Sequence, residues 1–140
     1  MLVSTKGRYA LRVMIDIARQ ETDEYIILMD VARRQNISEK YLESIIASLS
    51  KAGFLLAQRG RGGGYRMAKP PEECSVGAIL RAAEGYLAPV ACLKTGEADC
   101  PNADDCITLP LWMELDRRID KFLDSVSLRN LMDGDIPEDE

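Results

Sequence analysis

The sequence predicts a mostly α-helical fold that carries one small β-hairpin. Three observations predict it. Apolar residues recur at i, i+3, i+4 and i+7 in successive stretches, the spacing that places them on one face of a helix. One run, FLLAQRGRGGGYRMAK, reads instead as an apolar strand, a turn and a returning strand at Tyr65. Finally, Leu111, Leu115, Ile119, Phe122 and Val126 sustain a helical stripe over residues 107–126, long for a chain of 140 residues.

Ser4 or Thr5 can cap the first helix, whose inward face is Ala10, Val13, Met14, Ile17 and Ala18. Lys6, Arg8 and Arg12 lie in its first turns, placed either to touch phosphate or to form a solvated basic face. Residues 21–24 are a polar break, and residues 26–28 read as a short strand beside the hairpin. Residues 29–35 form a second helix with Val31 and Ala32 inward and Asn36 as its C-terminal turn residue. Ser38 can cap a third, because its hydroxyl can accept from the free N–H groups of the first turn. That helix turns Leu42, Ile45, Ile46 and Leu49 inward. Its opposite face carries Lys40, Ser44, Ala47 and Lys51, flanked by Glu43 and Ser48. Gly53 supplies the stop.

After the hairpin, Pro70 and Pro71 end the returning strand, since proline cannot donate to a ladder. Ser75 caps a helix with Val76, Ile79, Leu80 and Ala83 inward, and Gly85 stops it. Cys74, just before the cap, reads as a small packed residue. Residues 92–106 lack periodicity and read as a loop. Trp112 flanks the stripe of the long helix that follows. Ser127 caps a last short turn, with Leu128 and Leu131 docking back, and the tail DGDIPEDE reads as disordered.

Two helices joined by a short turn, then a hairpin with an arginine and glycine tip, read together as a winged helix-turn-helix. Such a tip adds little to a core. It suits a phosphate backbone or a minor groove, where glycine permits close approach and arginine supplies charge. The residues expected to face DNA are Arg8, Ser38, Lys40, Tyr41, Glu43, Ser44, Arg59, Arg61, Gly62 and Gly63. The long stripe suggests a partner helix, most simply the same helix of a second subunit, joined through Leu111, Leu115, Ile119 and Phe122, with packing within the chain as the alternative.

A net charge of −5 looks wrong for a nucleic-acid binder until the chain is divided. Residues 1–66 hold 11 Lys and Arg against 7 Asp and Glu, a balance of +4, while residues 67–140 carry −9. The basic part faces polyanions and the acidic part sits elsewhere. The expected organisation is a winged helix-turn-helix region with its supporting helix over 1–85, a cysteine loop and dimerisation helix over 86–131, and an acidic tail over 132–140. No apolar run reaches spanning length and no signal-peptide pattern opens the chain, so the expectation is a cytoplasmic protein without a membrane partner.

Cys92, Cys100 and Cys106 are spaced Cys-x7-Cys-x5-Cys in one loop and can converge on a metal centre. The chain has no histidine, which removes Cys3His zinc and every histidine-dependent catalytic arrangement. Structural zinc favours closer pairs, whereas iron–sulfur clusters accept thiolates from irregular loops. The residues rank a cluster above zinc and zinc above free redox thiols, and leave all three open. An enzyme is not expected: nucleophile and base are not paired, and a strand, not a helix, follows the GRGGG run. The alternatives are a metal-independent thiol-redox DNA-binding regulator and, in another class, a small iron–sulfur electron carrier.

At this point the sequence resembles the IscR/NsrR-type family of bacterial winged-helix regulators. The matching stretches are STKGRYALRVMIDIA, ISEKYLESIIASLSKAGFL, RGRGGGYRMAK and CITLPLW, which extend the resemblance to about Leu131. It implies a homodimeric transcriptional regulator, expected to be a repressor, on operator DNA with an inverted repeat. It also implies an iron–sulfur cluster held by Cys92, Cys100 and Cys106, with 2Fe–2S favoured and 4Fe–4S as the alternative. Glu43 matches the position that tunes operator choice, and Arg59 and Arg61 match wing residues that approach DNA. Two departures stand out. Leu109 occupies the place of one branch's histidine ligand, and Arg8 that of another branch's aspartate ligand. The first cysteine gap is two residues longer than in the histidine-ligated branch. The fourth ligand is therefore open among Glu97, Asp99, Asp104, Asp105, a serine or threonine, and water.

Overall fold

The computed structural model describes residues 3–93, 104 and 106–138. Helix α1 spans Thr5–Arg19, and of the two candidate caps it is Ser4 whose hydroxyl accepts from the Gly7 N–H. Ser4 in turn donates from its own N–H and hydroxyl to Glu84 Oε1, at 2.8 and 2.6 Å. The expected inward face of α1 is buried, and Asp16 is buried with it.

Helix α2 spans Leu28–Gln35. The short strand expected over 26–28 does not form. Ile26 makes a single antiparallel bridge to Tyr65, and Leu28 already belongs to the helix. Three residues cannot both pair with the hairpin and start a helix, so the pairing is confined to one. Asn36 ends α2 in the left-handed conformation, which asparagine tolerates better than most residues. Helix α3 spans Glu39–Lys51 and is capped by Ser38, whose hydroxyl accepts from the Tyr41 N–H at 3.1 Å. Leu42, Ile45, Ile46 and Leu49 are fully or almost fully buried. Each such burial contributes on the order of 1.5–3 kcal/mol, so this face fixes how α3 rolls on α1.

Strands β1 (Leu55–Gln58) and β2 (Gly64–Met67) pair antiparallel, with Leu55 opposite Met67 and Gln58 opposite Gly64. A single 3-10 turn at Pro71–Glu73 leads to α4, Val76–Glu84, capped by Ser75 and ended at Gly85. A second 3-10 turn at Ala91–Leu93 carries Cys92.

Helix α5 spans Leu109–Ser125, shorter at both ends than the periodicity suggests. Pro110 lies in its first turn, where its missing N–H costs nothing, and Ile107 stays outside, 94% exposed. None of the residues of α5 is buried. It docks on α4 through both kinds of contact: Leu123 packs on the cluster of Val76 and Leu80, and Arg81 donates to Asp124 Oδ1 at 2.7 Å and to Asp120 Oδ1 at 3.0 Å.

Helix α6 spans Leu128–Asp133, with a full capping box between Ser127 and Asn130. Met132 and Asp133, assigned to the tail from sequence, complete this helix, which Gly134 ends. The caps of α4 and α6 meet in an isolated bridge between Ser75 and Ser127. There Val76 N–H donates to Val126 O and Leu128 N–H to Cys74 O, both at 2.8 Å. The main core lies between α1, α3, α4 and the start of α6. A smaller one joins Val76, Leu80, Leu87 and Val126.

Candidate nucleic-acid interface and cysteine loop

The face of α3 opposite the core is open. Ser38, Lys40, Glu43 and Ser44 are exposed, as the helical spacing requires once Leu42, Ile45 and Ile46 are committed inward. Tyr41 is half-buried, its ring edge-on to Tyr9 with centroids 6.0 Å apart. Lys6 Nζ donates to Ser48 Oγ at 3.2 Å and ties the start of α1 to the middle of α3.

The hairpin tip presents Arg59, Arg61 and Gly62 to solvent, with Gly63 half-buried behind them. Its root is pinned. Ile26 N–H donates to Tyr65 O at 2.7 Å, and Tyr65 N–H returns a bond to Ile26 O at 2.9 Å. A Cβ at Gly64 would overlap the Ile26 carbonyl oxygen, so only glycine lets the two backbones close. Arg66 adds a bond to the Asp23 carbonyl at 2.9 Å and stacks its guanidinium over Tyr25.

Between α3 and the hairpin runs a groove lined by Glu43, Ala47, Ser50, Arg59, Gly60 and Tyr65, among others. Glu43 and Arg59 thus border one concave surface. A carboxylate accepts from an exocyclic amine such as that of cytosine, and a guanidinium suits phosphate, guanine or a narrow minor groove. Of the expected residues, Glu43 of α3 and Arg59 and Gly63 of the wing line this groove, while Ser38, Lys40, Ser44, Arg61 and Gly62 are exposed outside its lining. Arg8 stands apart on α1, exposed, with one bond to Thr5 Oγ1 at 3.2 Å. Arg12 is exposed and already carries a side-chain partner. Its Nε donates to Gln35 Oε1 at 3.1 Å.

Sequence reasoning missed the polar joint beside it. Asp16, only 6% exposed, accepts from Arg34 Nη2 at 2.7 Å and from Gln35 Nε2 at 2.8 Å. The Arg34 guanidinium is held further into its charged form, first by its hydrogen bond to Asp16. An aspartate one position from Ile17 on a buried face was the available signal.

Cys74 is fully buried, with Sγ donating to the Pro70 carbonyl at 3.5 Å, and burial pushes its thiol up. This is the packing role that its sequence position suggests. Cys92 and Cys106 are both half-buried free thiols. Cys106 sits just before α5, 3.5 Å from Thr108 Oγ1. Trp112 Nε1 donates to that same oxygen at 3.2 Å. Hydrogen bonds from the Thr108 hydroxyl, and then from the Thr108 and Leu109 backbone, hold the Cys106 thiol below the usual range. Cys100 lies outside the described residues, as do Glu97, Asp99 and Asp105, while Asp104 is exposed. Among the described residues, no group of three or more Cys, Asp or Glu side chains stands ready to hold a metal ion.

On α5, Leu111, Leu115 and Phe122 are exposed, at 59%, 38% and 45%, and Ile119 is half-buried. The described residues therefore leave most of the predicted contact stripe uncovered. No helix among them is long and apolar enough to cross a membrane.

Residues 3–134 match the model of the Rrf2 family, described as an iron-dependent transcriptional regulator. The regulator IscR of Aliivibrio salmonicida is 39% identical over 132 residues, covering 94% of this chain and 77% of that protein. Among solved structures, CymR, described as the global cysteine regulator of B. subtilis, superposes with a TM-score of 0.75 at 32% identity. The match covers 96% of this chain and 98% of that one. IscR from T. potens superposes with a TM-score of 0.74 at 34% identity, covering 96% and 88%. The family model and the Aliivibrio relative are named as transcriptional regulators, a class that is not enzymatic.

Proposed function

The chain belongs to the Rrf2 family of transcriptional regulators, and from that premise we propose that it is an operator-binding repressor whose DNA affinity answers to an iron–sulfur cluster. Cys92, Cys100 and Cys106 would hold the cluster, as 2Fe–2S, with a weaker non-thiolate fourth ligand. Two copies joined along α5 would place two recognition helices on an inverted repeat, since protein symmetry is mirrored in the site. The reading places the protein in the cytoplasm with its DNA.

The observation that carries it is the position of Cys106 at the foot of α5, the helix whose apolar stripe is uncovered. A thiolate fixed there acts on the element expected to join the two copies. Thr108, itself held by Trp112, keeps that sulfur acidic, which suits metal ligation because the thiolate is the ligand. When bound, the cluster supplies a centre that changes with oxidant, nitric oxide or iron supply. The chain's part is to bring the three thiols onto one centre and so tie the foot of α5 to the turn that carries Cys92.

A second reading, thiol sensing without metal, is favoured by the same lowered Cys106 thiol and by the likeness to CymR. Anaerobic purification with iron and sulfide assay, then a mobility shift with and without cluster, separates the two. Iron and sulfide bound in equal amounts, with operator affinity that changes on their removal, supports the cluster. A metal-free protein whose operator affinity responds only to thiol oxidation refutes it in favour of the second reading.

A further inference from the structure

We propose that Arg12 is a positioning residue for the recognition helix and not a phosphate ligand; the inference rests on the DNA-binding reading above. Three contacts occupy its guanidinium. Nε donates to Gln35 Oε1 at 3.1 Å, and Nη2 reaches the Gln35 carbonyl oxygen at 3.5 Å. The guanidinium carbon lies 4.6 Å above the centre of the Tyr9 ring.

Each contact leads onward. Gln35, the last residue of α2, gives its amide N–H to Asp16 Oδ2 at 2.8 Å. Asp16 is buried and is locked by Arg34, whose Nε lies 3.1 and 3.0 Å from its two oxygens. On the other side, Tyr9 meets Tyr41 edge-on. Tyr41 belongs to the first turn of α3, where its N–H is the one that Ser38 caps. Arg12 therefore joins α1, the end of α2 and the start of α3 through one planar group. The turn between α2 and α3 sets the angle at which α3 enters a groove. Ile37 packs the inner side of that turn against the core, and Arg12 braces it from outside.

The chemistry separates a strut from a phosphate ligand. Lysine keeps the charge but lacks the planar fork and the stacking face. A phosphate ligand is partly replaceable by lysine, and its loss removes one released counterion, about 0.9 from the slope of log affinity against log salt. A strut is not replaced by lysine, and its loss leaves that slope alone.

The test measures an operator duplex against salt for the wild type, Arg12→Lys, Arg12→Ala, Gln35→Ala and Arg8→Ala. Ring resonances of Tyr9 and Tyr41 are recorded without DNA. Arg12→Lys and Arg12→Ala should each weaken binding by roughly three- to fivefold, the scale of an exposed cation–π contact, at unchanged slope. Gln35→Ala should do the same and add little to Arg12→Ala. Arg8→Ala should lower the slope by about one. The Tyr rings should move in Arg12→Lys and stay in Arg8→Ala. Wild-type affinity in Arg12→Lys, together with a reduced slope in Arg12→Ala, overturns the proposal, as do rings that Arg12→Lys leaves unmoved. A wild type that ignores operator DNA while its rings respond refutes the DNA-binding reading and supports the brace.

Discussion

Replacing Gly64 with alanine should detach the wing from the body of the protein. The backbone there has φ +153, and an added Cβ would overlap the Ile26 carbonyl oxygen. Backbone cannot rotate away as a side chain can, so the two segments must part. Two hydrogen bonds, at 2.7 and 2.9 Å, join them. Each contributes about 1 kcal/mol net, and the disfavoured backbone adds about 1–2 kcal/mol, for a total of about 3–4 kcal/mol. Gly62 is the control. Its φ is +77 but nothing lies within 4 Å of an added Cβ. Alanine there should cost only the left-handed penalty, about 1–2 kcal/mol. Urea denaturation of both variants measures the difference. Operator titration should show the larger loss for Gly64→Ala, because Arg59 and Arg61 depend on the pinned root. Equal stability losses in the two variants would refute the claim that Ile26 holds the wing.

Three further outcomes follow from the site. Arg59→Ala and Arg61→Ala should each weaken operator binding by about 1–3 kcal/mol without loss of fold, read by fluorescence anisotropy and thermal melts; unchanged affinity in both would remove the wing from the interface. Leu111→Asp, at a position 59% exposed, should convert a dimer to monomers by light scattering and abolish tight operator binding; a monomeric wild type would count against the α5 interface. In reduced, metal-free protein, the lowered Cys106 thiol means more thiolate at a given pH, so alkylation followed by mass spectrometry should label it below the pH that an ordinary thiol needs. Thr108→Val should slow that labelling near neutrality, while Cys74, buried and raised, should react only on unfolding.

What the sequence reveals here depends on how far each cause reaches along the chain. Ser38, Ser75, Ser127 and Asn36 are legible because a cap acts within three or four residues. The inward faces of α1, α3 and α4 are legible because burial of one face imposes a period. Residues 26–28 misled because their short apolar run cannot distinguish a strand from the entry to a helix. Arg12 is ambiguous in sequence because its partner, Gln35, is 23 residues away. Asp16 depends on Arg34, 18 residues away, and the Ser4 cap on Glu84, 80 away. A polar side chain carries no local mark of a distant partner. The Thr108 bond to Cys106 spans only two residues. That contact is local enough to be legible in the Cys-x-Thr spacing alone.

The bridge between Ser75 and Ser127 has a consequence for chain length. It brings Val76 and Val126 together, so the roughly fifty residues between them leave one fixed point and return to it. Closing such a loop costs entropy that grows only with the logarithm of its length. About half of that span is helix, and Arg81 already ties α4 to α5, so the length that varies is the link between Leu93 and Cys106, where two more residues add on the order of 0.1 kcal/mol. Insertions and deletions between the thiols are therefore nearly free for the rest of the fold. The spacing of the three thiols can change by a residue or two without unsettling the helices on either side.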